Sequence, residues 1–335
     1  MKICISRIDK MGDMILTLPV IKSIKNQNPE ISIHVLASDQ NVKVLKNIEY
    51  IDKVLLIKPG INSFIWMLNQ VRKTKYDFFI NFSPIIKSFT LCFFSKSHKK
   101  AALVFLSRYQ KSFFSKLLLR NLVKIFCHFQ YIVNRYDRLN NNQEIHQTKM
   151  MFNLINECKI KYDQNILIDI FLPFEKITYS KKKLIVVHLS EKWINSFYSE
   201  NDFLDLISLL SKEEYSVVLT TDNSTKNKFK KIYEKYKIIS KQNFDELKST
   251  QNNIVILDNL NYDSWIKIIY SSNAVITPEC GCSHIAAACK IPVNIIYDPE
   301  NHPDAIHKEY SPWKSKYNKF VFGENSLNLK LIARI

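Results

Sequence analysis

The chain of 335 residues is long enough for two domains of ordinary size, and its 46% hydrophobic content is ample for buried cores, which excludes disorder as the main reading. Its 48 Lys and Arg outnumber its 31 Asp and Glu, and the resulting +17 favours anionic ligands, lipid surfaces or nucleic acid without choosing among them. The surplus is uneven: residues 1–170 hold 26 basic and 12 acidic side chains, residues 171–335 hold 22 and 19, which suggests two domains with two tasks.

Seven cysteines (Cys4, Cys92, Cys127, Cys158, Cys280, Cys282, Cys289) form an odd set too sparse for a disulfide scaffold, so a reducing cytoplasm is the expected setting. Arg7, Asp9, Lys10 and Asp13 interrupt the apolar core that a signal peptide needs. No uninterrupted apolar run of about 18 residues predicts a membrane span.

In chain order, Lys2 to Ser6 reads as a strand, Arg7 to Gly12 as a loop, and Met14, Leu18, Ile21 and Ile24 fall at helical spacing. Strands are expected at Ile31 to Leu36, Val54 to Ile57 and Phe78 to Phe82, with helices at Val42 to Leu45 and Phe64 to Val71. Such alternation predicts a parallel sheet covered by helices on both faces. From Phe113 to His128, apolar pairs recur while Lys116, Arg120, Lys124 and His128 are spaced by four, the pattern of a basic amphipathic helix. It suits either packing on the first sheet or contact with an anionic membrane surface.

Leu172 to Lys182, with Pro173 and clustered Lys, reads as a linker between domains 1–171 and 183–335. The alternation then resumes: strands at Lys183 to Leu189, Tyr215 to Thr220, Ile254 to Leu257, Ala274 to Ile276 and Val293 to Ile296, and helices at Phe203 to Leu210, near Tyr262 to Tyr270, and from Ser283 to Cys289.

Glycine occurs only at 12, 60, 281 and 323. Gly12 and Gly281 both fall at turns entering helices, where a missing Cβ permits unusual backbone angles and opens N–H groups to a ligand; a plain helix boundary is the alternative. Asp13 follows Gly12 at the end of the first strand, where ligands of open α/β sheets bind. A carboxylate there serves as a helix cap or accepts a proton from an attacking hydroxyl. The turn from Thr277 to His284 similarly offers N–H groups and a helix dipole to phosphate. Cys280, Cys282 and His284 lack a second Cys or His pair at zinc-ligand spacing. Lys192, just past the strand-end Ser190, occupies the matching place in the second half and suits a diphosphate, or else a solvated surface. No Asp-x-Asp pair occurs for a metal-bound diphosphate.

The segment Arg7-Ile8-Asp9-Lys10-Met11-Gly12-Asp13 with Thr17-Leu18-Pro19 resembles the N-terminal motif of the family 9 glycosyltransferases, the lipopolysaccharide heptosyltransferases. Pro278-Glu279-Cys280-Gly281-Cys282-Ser283-His284-Ile285-Ala286-Ala287-Ala288 with Ile291-Pro292-Val293 is similar to that family's donor-site segment, and Lys192-Trp193 falls where the family carries a phosphate-binding Lys. The resemblance implies a GT-B fold, two Rossmann-like domains facing across a cleft, with the acceptor on the first and a nucleotide sugar on the second. It implies Asp13 as catalytic base of an inverting transfer, Arg7 and Gly12 as acceptor or cleft residues, and Lys192 with Glu279, Cys280, Gly281, Cys282, Ser283 and His284 as donor-binding residues. By the same resemblance the donor is ADP-heptose and the acceptor an anionic inner-core glycolipid, with no cofactor, no metal and no nucleic-acid partner. The implied location is the cytoplasm, with peripheral contact at the cytoplasmic face of the inner membrane.

The chain departs from the family at Glu279, usually Asp, and Cys280, usually Thr, and Thr220-Thr221-Asp222-Asn223 replaces the glycines and Glu expected near the nucleotide ribose. Two other readings follow: a sugar-nucleotide-binding protein of the same fold without turnover, and a nucleic-acid binder, whose affinity would fall steeply with salt.

Overall fold

The computed structural model describes residues 1–106, 113–133, 145–177, 182–196, 199–212, 215–221, 225–240, 244, 247, 253–300 and 302–321, with backbone alone at 113–116, 194–196 and 240. Asp222, Asn223, Gly323, linker residues 178–181 and the Lys116 side chain lie outside the described part. Two compact units, Met1–Phe171 and Leu172–Ile335, divide the chain.

Unit 1 runs β1 (Lys2–Ser6), α1 (Met11–Gln27), β2 (Ser32–Ser38), β3 (Lys53–Ile57), α2 (Ile61–Lys73), β4 (Phe78–Asn81), α3 (Ile86–Phe94), β5 (Lys99–Phe105), α4 (Phe113–Phe126), β6 (Phe129–Val133) and α5 (Gln147–Glu157). The strands pair in parallel in the order β3-β2-β1-β4-β5-β6. Ile3, Cys4 and Ile5 are fully buried, as a central strand covered on both faces requires. The chain builds outward from β1 through β2 to β3, then returns to place β4 on the other side of β1. That reversal leaves a crevice beyond the carboxyl ends of β1 and β4, the place where open α/β sheets hold ligands. One expectation is corrected here: Val42–Leu45 closes as a single 3-10 turn, too short for an α-helix.

Unit 2 runs β7 (Leu184–His188), α6 (Glu191–Ser196), α7 (Glu200–Lys212), β8 (Ser216–Thr221), α8 (Lys230–Lys235), β9 (Lys237–Ser240), β10 (Ile254–Asp258), α9 (Tyr262–Ser271), β11 (Ala274–Pro278), α10 (Gly281–Ala288), β12 (Val293–Tyr297), α11 (Pro303–Tyr310) and β13 (Asn318–Val321). Its order is β13-β12-β11-β7-β8-β10-β9, again parallel, and the reversal falls between β7 and β11. Ile185, Val187, Trp193, Phe203, Leu219 and Ile276 pack into one core on this sheet. Residues 172–177 lie against this unit: Ile177 is buried, its N–H donates to Ser271 Oγ at 2.8 Å, and Lys176 Nζ stands 4.8 Å from the centre of the Tyr270 ring.

Gly12 and Gly281 both sit inside helices. Gly12 is the second residue of α1, and Gly281 opens α10 two residues earlier than the apolar spacing suggested. Of the described glycines only Gly60, at the start of α2, has a left-handed φ (100°), so Gly12 and Gly281 do not serve unusual backbone angles. Both positions instead remain partly exposed in the first turn of their helices.

Candidate active site

In unit 1 the site is built around a buried arginine. Arg7 follows the last residue of β1 and is 1% exposed. Its Nη1 donates to the Phe82 carbonyl, just past β4, at 2.5 Å, and its Nη2 donates to Asp13 Oδ1 at 2.7 Å. Asp9 Oδ2 lies 3.4 Å from Arg7 Nε, and Gln147 Oε1 of α5 lies 3.5 Å from Nη2. A guanidinium removed from water needs such compensation, and its planar fork holds several acceptors at once.

The loop that carries these groups is fixed from the backbone outward. Asn41 Nδ2 donates to the Arg7 and Asp9 carbonyls, at 2.9 and 3.1 Å, and the Ile8 N–H donates to Ser83 Oγ at 2.7 Å. Asp13 lies in the first turn of α1, where the helix dipole favours a negative charge, and accepts from the Lys10 N–H at 3.4 Å. Its carboxylate retains 12% exposure, against 6% for Asp9. The three charges sum to −1. Arg7 thus has Asp9 as a second counter-ion beside Asp13.

In unit 2 the matching turns meet at the β7/β11 reversal. Lys192, in the first turn of α6, donates from Nζ to the Glu279 carbonyl at 2.5 Å and to Glu279 Oε2 at 2.6 Å. Trp193 anchors that turn: it is 1% exposed, its Nε1 donates to the His188 carbonyl at 2.7 Å, and its ring meets Phe203 edge-on at 4.2 Å. The turn before α10 is held by the Glu279 N–H on the Ile296 carbonyl (3.0 Å) and by Ser283 Oγ on the Cys280 carbonyl (2.7 Å). Burial raises the Cys280 thiol, partly offset by the Lys192 charge, the Thr277 hydroxyl at 3.3 Å and the Cys282 N–H.

The residues singled out from sequence therefore separate into two sets. Lys192, Glu279, Cys280 and Gly281 stay accessible around one turn, whereas Cys282, Ser283 and His284 are buried behind it, backbone included. Similarly Asp13 and Gly12 keep exposure, while Arg7 lies behind Asp13. Among the described residues, no three His, Cys, Asp or Glu side chains cluster as a metal would require.

Asp9, Asn41, Phe82 and Gln147 were missed as supports. Asp9 lay within the motif, two residues from Arg7, but the other three are brought in by sheet order and leave no local signal. Tyr297, at the end of β12, was missed as well. Its hydroxyl is buried with no hydrogen-bond partner among the described residues, and burial followed by the charge of Glu279 raises it well above the ordinary phenol range.

Comparison with known proteins supplies the context. Residues 66–329 match the model of glycosyltransferase family 9 (heptosyltransferase). Lipopolysaccharide heptosyltransferase 1 of Campylobacter coli is 25% identical over 343 aligned positions, covering 96% of this chain and 89% of that protein. The crystal structure of a family 9 glycosyl transferase from Veillonella parvula superposes with a TM-score of 0.71 at 14% identity, covering 100% of this chain and 89% of the other. E. coli heptosyltransferase WaaC with ADP gives the same TM-score and identity, with 99% and 97% covered. These likenesses place the fold in the α/β class of GT-B type.

Proposed function

The chain belongs to glycosyltransferase family 9, the heptosyltransferases, and from that premise we propose that it moves a heptosyl residue from ADP-heptose to a hydroxyl of an anionic inner-core lipopolysaccharide acceptor, with inversion at the anomeric carbon. Residues 1–171 serve the acceptor and residues 183–335 the nucleotide sugar. The observation that carries the reading is the chemistry at corresponding places of the two sheets. The first βα turn of unit 1 presents a carboxylate, Asp13, and the first βα turn of unit 2 presents an ammonium, Lys192, beside the start of α10. The family match begins beyond Asp13, so the role of that residue rests on its geometry and on its motif.

In this mechanism Asp13 takes the proton of the acceptor hydroxyl as its oxygen bonds to the anomeric carbon. The bond from that carbon to the diphosphate oxygen breaks, and its electron pair leaves with ADP. Lys192, once it exchanges Glu279 for the diphosphate, and the N–H of Gly281 at the start of α10 meet the charge that develops on the departing oxygen, which lowers the barrier. Arg7 is a positioning residue: it fixes the direction of the Asp13 carboxylate. The lipid-borne acceptor brings the enzyme to the cytoplasmic face of the inner membrane, and among the described residues no helix is long and apolar enough to cross a membrane.

The test is incubation with ADP-heptose and a heptose-deficient core acceptor, followed by mass spectrometry and assignment of the new anomeric centre. One added heptosyl residue of inverted configuration is expected, and Asp13→Asn should lower the rate by about 10² with donor affinity retained. Product formed only from a different nucleotide sugar would overturn the donor assignment. The hold of Glu279 on Lys192 favours one second reading, a sugar-nucleotide-binding protein without turnover, for which ADP binding with no product from any donor is the signature.

A further inference from the structure

The transfer chemistry leaves a large part of unit 1 unused. Between Asp52 and Asp137 the sequence holds fifteen Lys and Arg and one acid, Asp77. Asp77 is engaged within the fold, where its Oδ2 accepts the Lys2 N–H at 2.6 Å. This stretch contains α2, α3 and α4, none of which has an Asp or Glu.

The three helices form one layer over the same face of the first sheet. Met67 and Val71 of α2, Phe89 and Cys92 of α3, and Leu119 and Val123 of α4 enter one core. α2 packs against α3, and Phe93 of α3 stacks on Phe126 of α4 with ring centres 5.1 Å apart. Helices whose inward stripe is already buried normally turn a polar side to water.

These do not. Eight of the thirteen large apolar side chains exposed among the described residues belong to them. Ile61, Trp66, Ile86, Phe94, Leu118 and Ile125 are 70, 54, 69, 52, 61 and 74% exposed. Interleaved with them are exposed Arg72, Lys87, Arg120 and Lys124, none of which forms an ion pair among the described residues.

Scattered exposed apolar residues need no explanation, but a contiguous apolar and cationic surface points to a partner. A second copy of this chain would bring the same acid-free surface and repel it. An anionic bilayer meets both features, because apolar tips enter the boundary between headgroups and acyl chains while Lys and Arg face lipid phosphate. We propose that the outer face of the α2–α3–α4 layer is a docking surface for a bilayer bearing anionic lipids; the proposal deepens the reading of a lipid-borne acceptor and rests on it. The surface would hold the enzyme in the plane where its acceptor resides.

Sedimentation of the full chain with vesicles tests it. Binding is expected to vesicles of phosphatidylethanolamine with phosphatidylglycerol, to weaken by about tenfold or more on phosphatidylcholine alone, and to fall with salt. The pair Trp66→Ser and Ile125→Ser, and separately Arg120→Glu with Lys124→Glu, should each weaken binding by about tenfold. Both pairs alter exposed side chains, so transfer to a soluble, deacylated acceptor should be unchanged. That assay separates the two readings: vesicle binding without transfer defeats the reaction and leaves the surface, while transfer without vesicle binding defeats the surface and leaves the reaction. Equal binding to both vesicle types, binding untouched by either pair of substitutions, or a dimer in analytical ultracentrifugation that those substitutions dissolve would each overturn the proposal.

Discussion

Lys192 and Glu279 are joined twice, through the Glu279 carbonyl at 2.5 Å and its carboxylate at 2.6 Å, although 87 residues separate them in sequence. The Lys192 side chain is 48% exposed, so this pair contributes little to stability and is open to exchange for a diphosphate. Lys192→Ala should leave the melting temperature nearly unchanged and weaken ADP binding about tenfold. Glu279→Gln should tighten ADP binding severalfold by freeing the ammonium, and that gain should vanish in the Lys192→Ala background. Isothermal titration of the four proteins measures the coupling, and equal effects of Glu279→Gln with and without Lys192 would show that the two do not compete.

The structural contacts of Arg7 and the positioning role proposed for it can be separated by two substitutions. Arg7→Met leaves Asp9 and the Phe82 carbonyl without their buried partner and should destabilise the protein by about 3–5 kcal/mol in chemical denaturation. Arg7→Lys keeps the charge but cannot hold Phe82 and Asp13 in one plane. It should lower kcat about tenfold with donor KM unchanged, and full activity would show that the fork is not needed to aim Asp13.

Tyr297 offers the opposite case, because its buried hydroxyl has no partner among the described residues. Tyr297→Phe removes a desolvated polar atom at nearly constant volume and should be neutral or stabilising by about 1 kcal/mol. A loss of more than about 1 kcal/mol would reveal a hydrogen bond to that oxygen. If the hydroxyl instead meets the nucleotide, ADP affinity will fall in the variant while stability does not.

Two histidines set an acid limit. His34 is held below its ordinary value by burial and then by Lys2 and Lys53, with Asp52 opposing, and His307 by burial and then Lys319. Both are favoured neutral in the folded state, where His34 Nδ1 and His307 Nε2 lie 2.9 and 2.7 Å from the hydroxyls of Tyr76 and Tyr317. Their contribution is fully present above the unfolded value of 6.5 and is lost as the pH falls through it toward the lower folded value. Asp52 and Asp304, whose carboxyls are lowered, act in a separate window below 3.8. Melting temperatures should therefore decline between pH 7 and 5, and His34→Gln with His307→Gln should flatten that decline. An unchanged slope in the double variant would assign it to other groups.

The parts of the fold legible in sequence were those with strong local pattern. The strand expected at Lys2 to Ser6 forms there, and Phe203 to Leu210 lies inside α7, because a short buried run and apolar residues three and four apart both leave a clear local trace. Edge strand β13 carries little apolar periodicity, with Asn318 and Lys319 among its four residues, and was not visible. At the site, the motif gave Asp13 and Lys192 as candidates because chemistry and position along the chain coincide. The burial of Arg7 was not legible, since a charged side chain enters a core only when partners arrive from elsewhere, and Phe82 and Gln147 come from 75 and 140 residues away.

The span of those anchors has a consequence for biosynthesis. Residues 7 and 13 leave the ribosome nearly together, yet the Phe82 carbonyl that anchors Arg7 follows 75 residues later. A nascent fragment ending before β4 thus owns the acid without its aim. Ordering of the Arg7–Asp13 pair is thereby tied to the arrival of β4 beside β1.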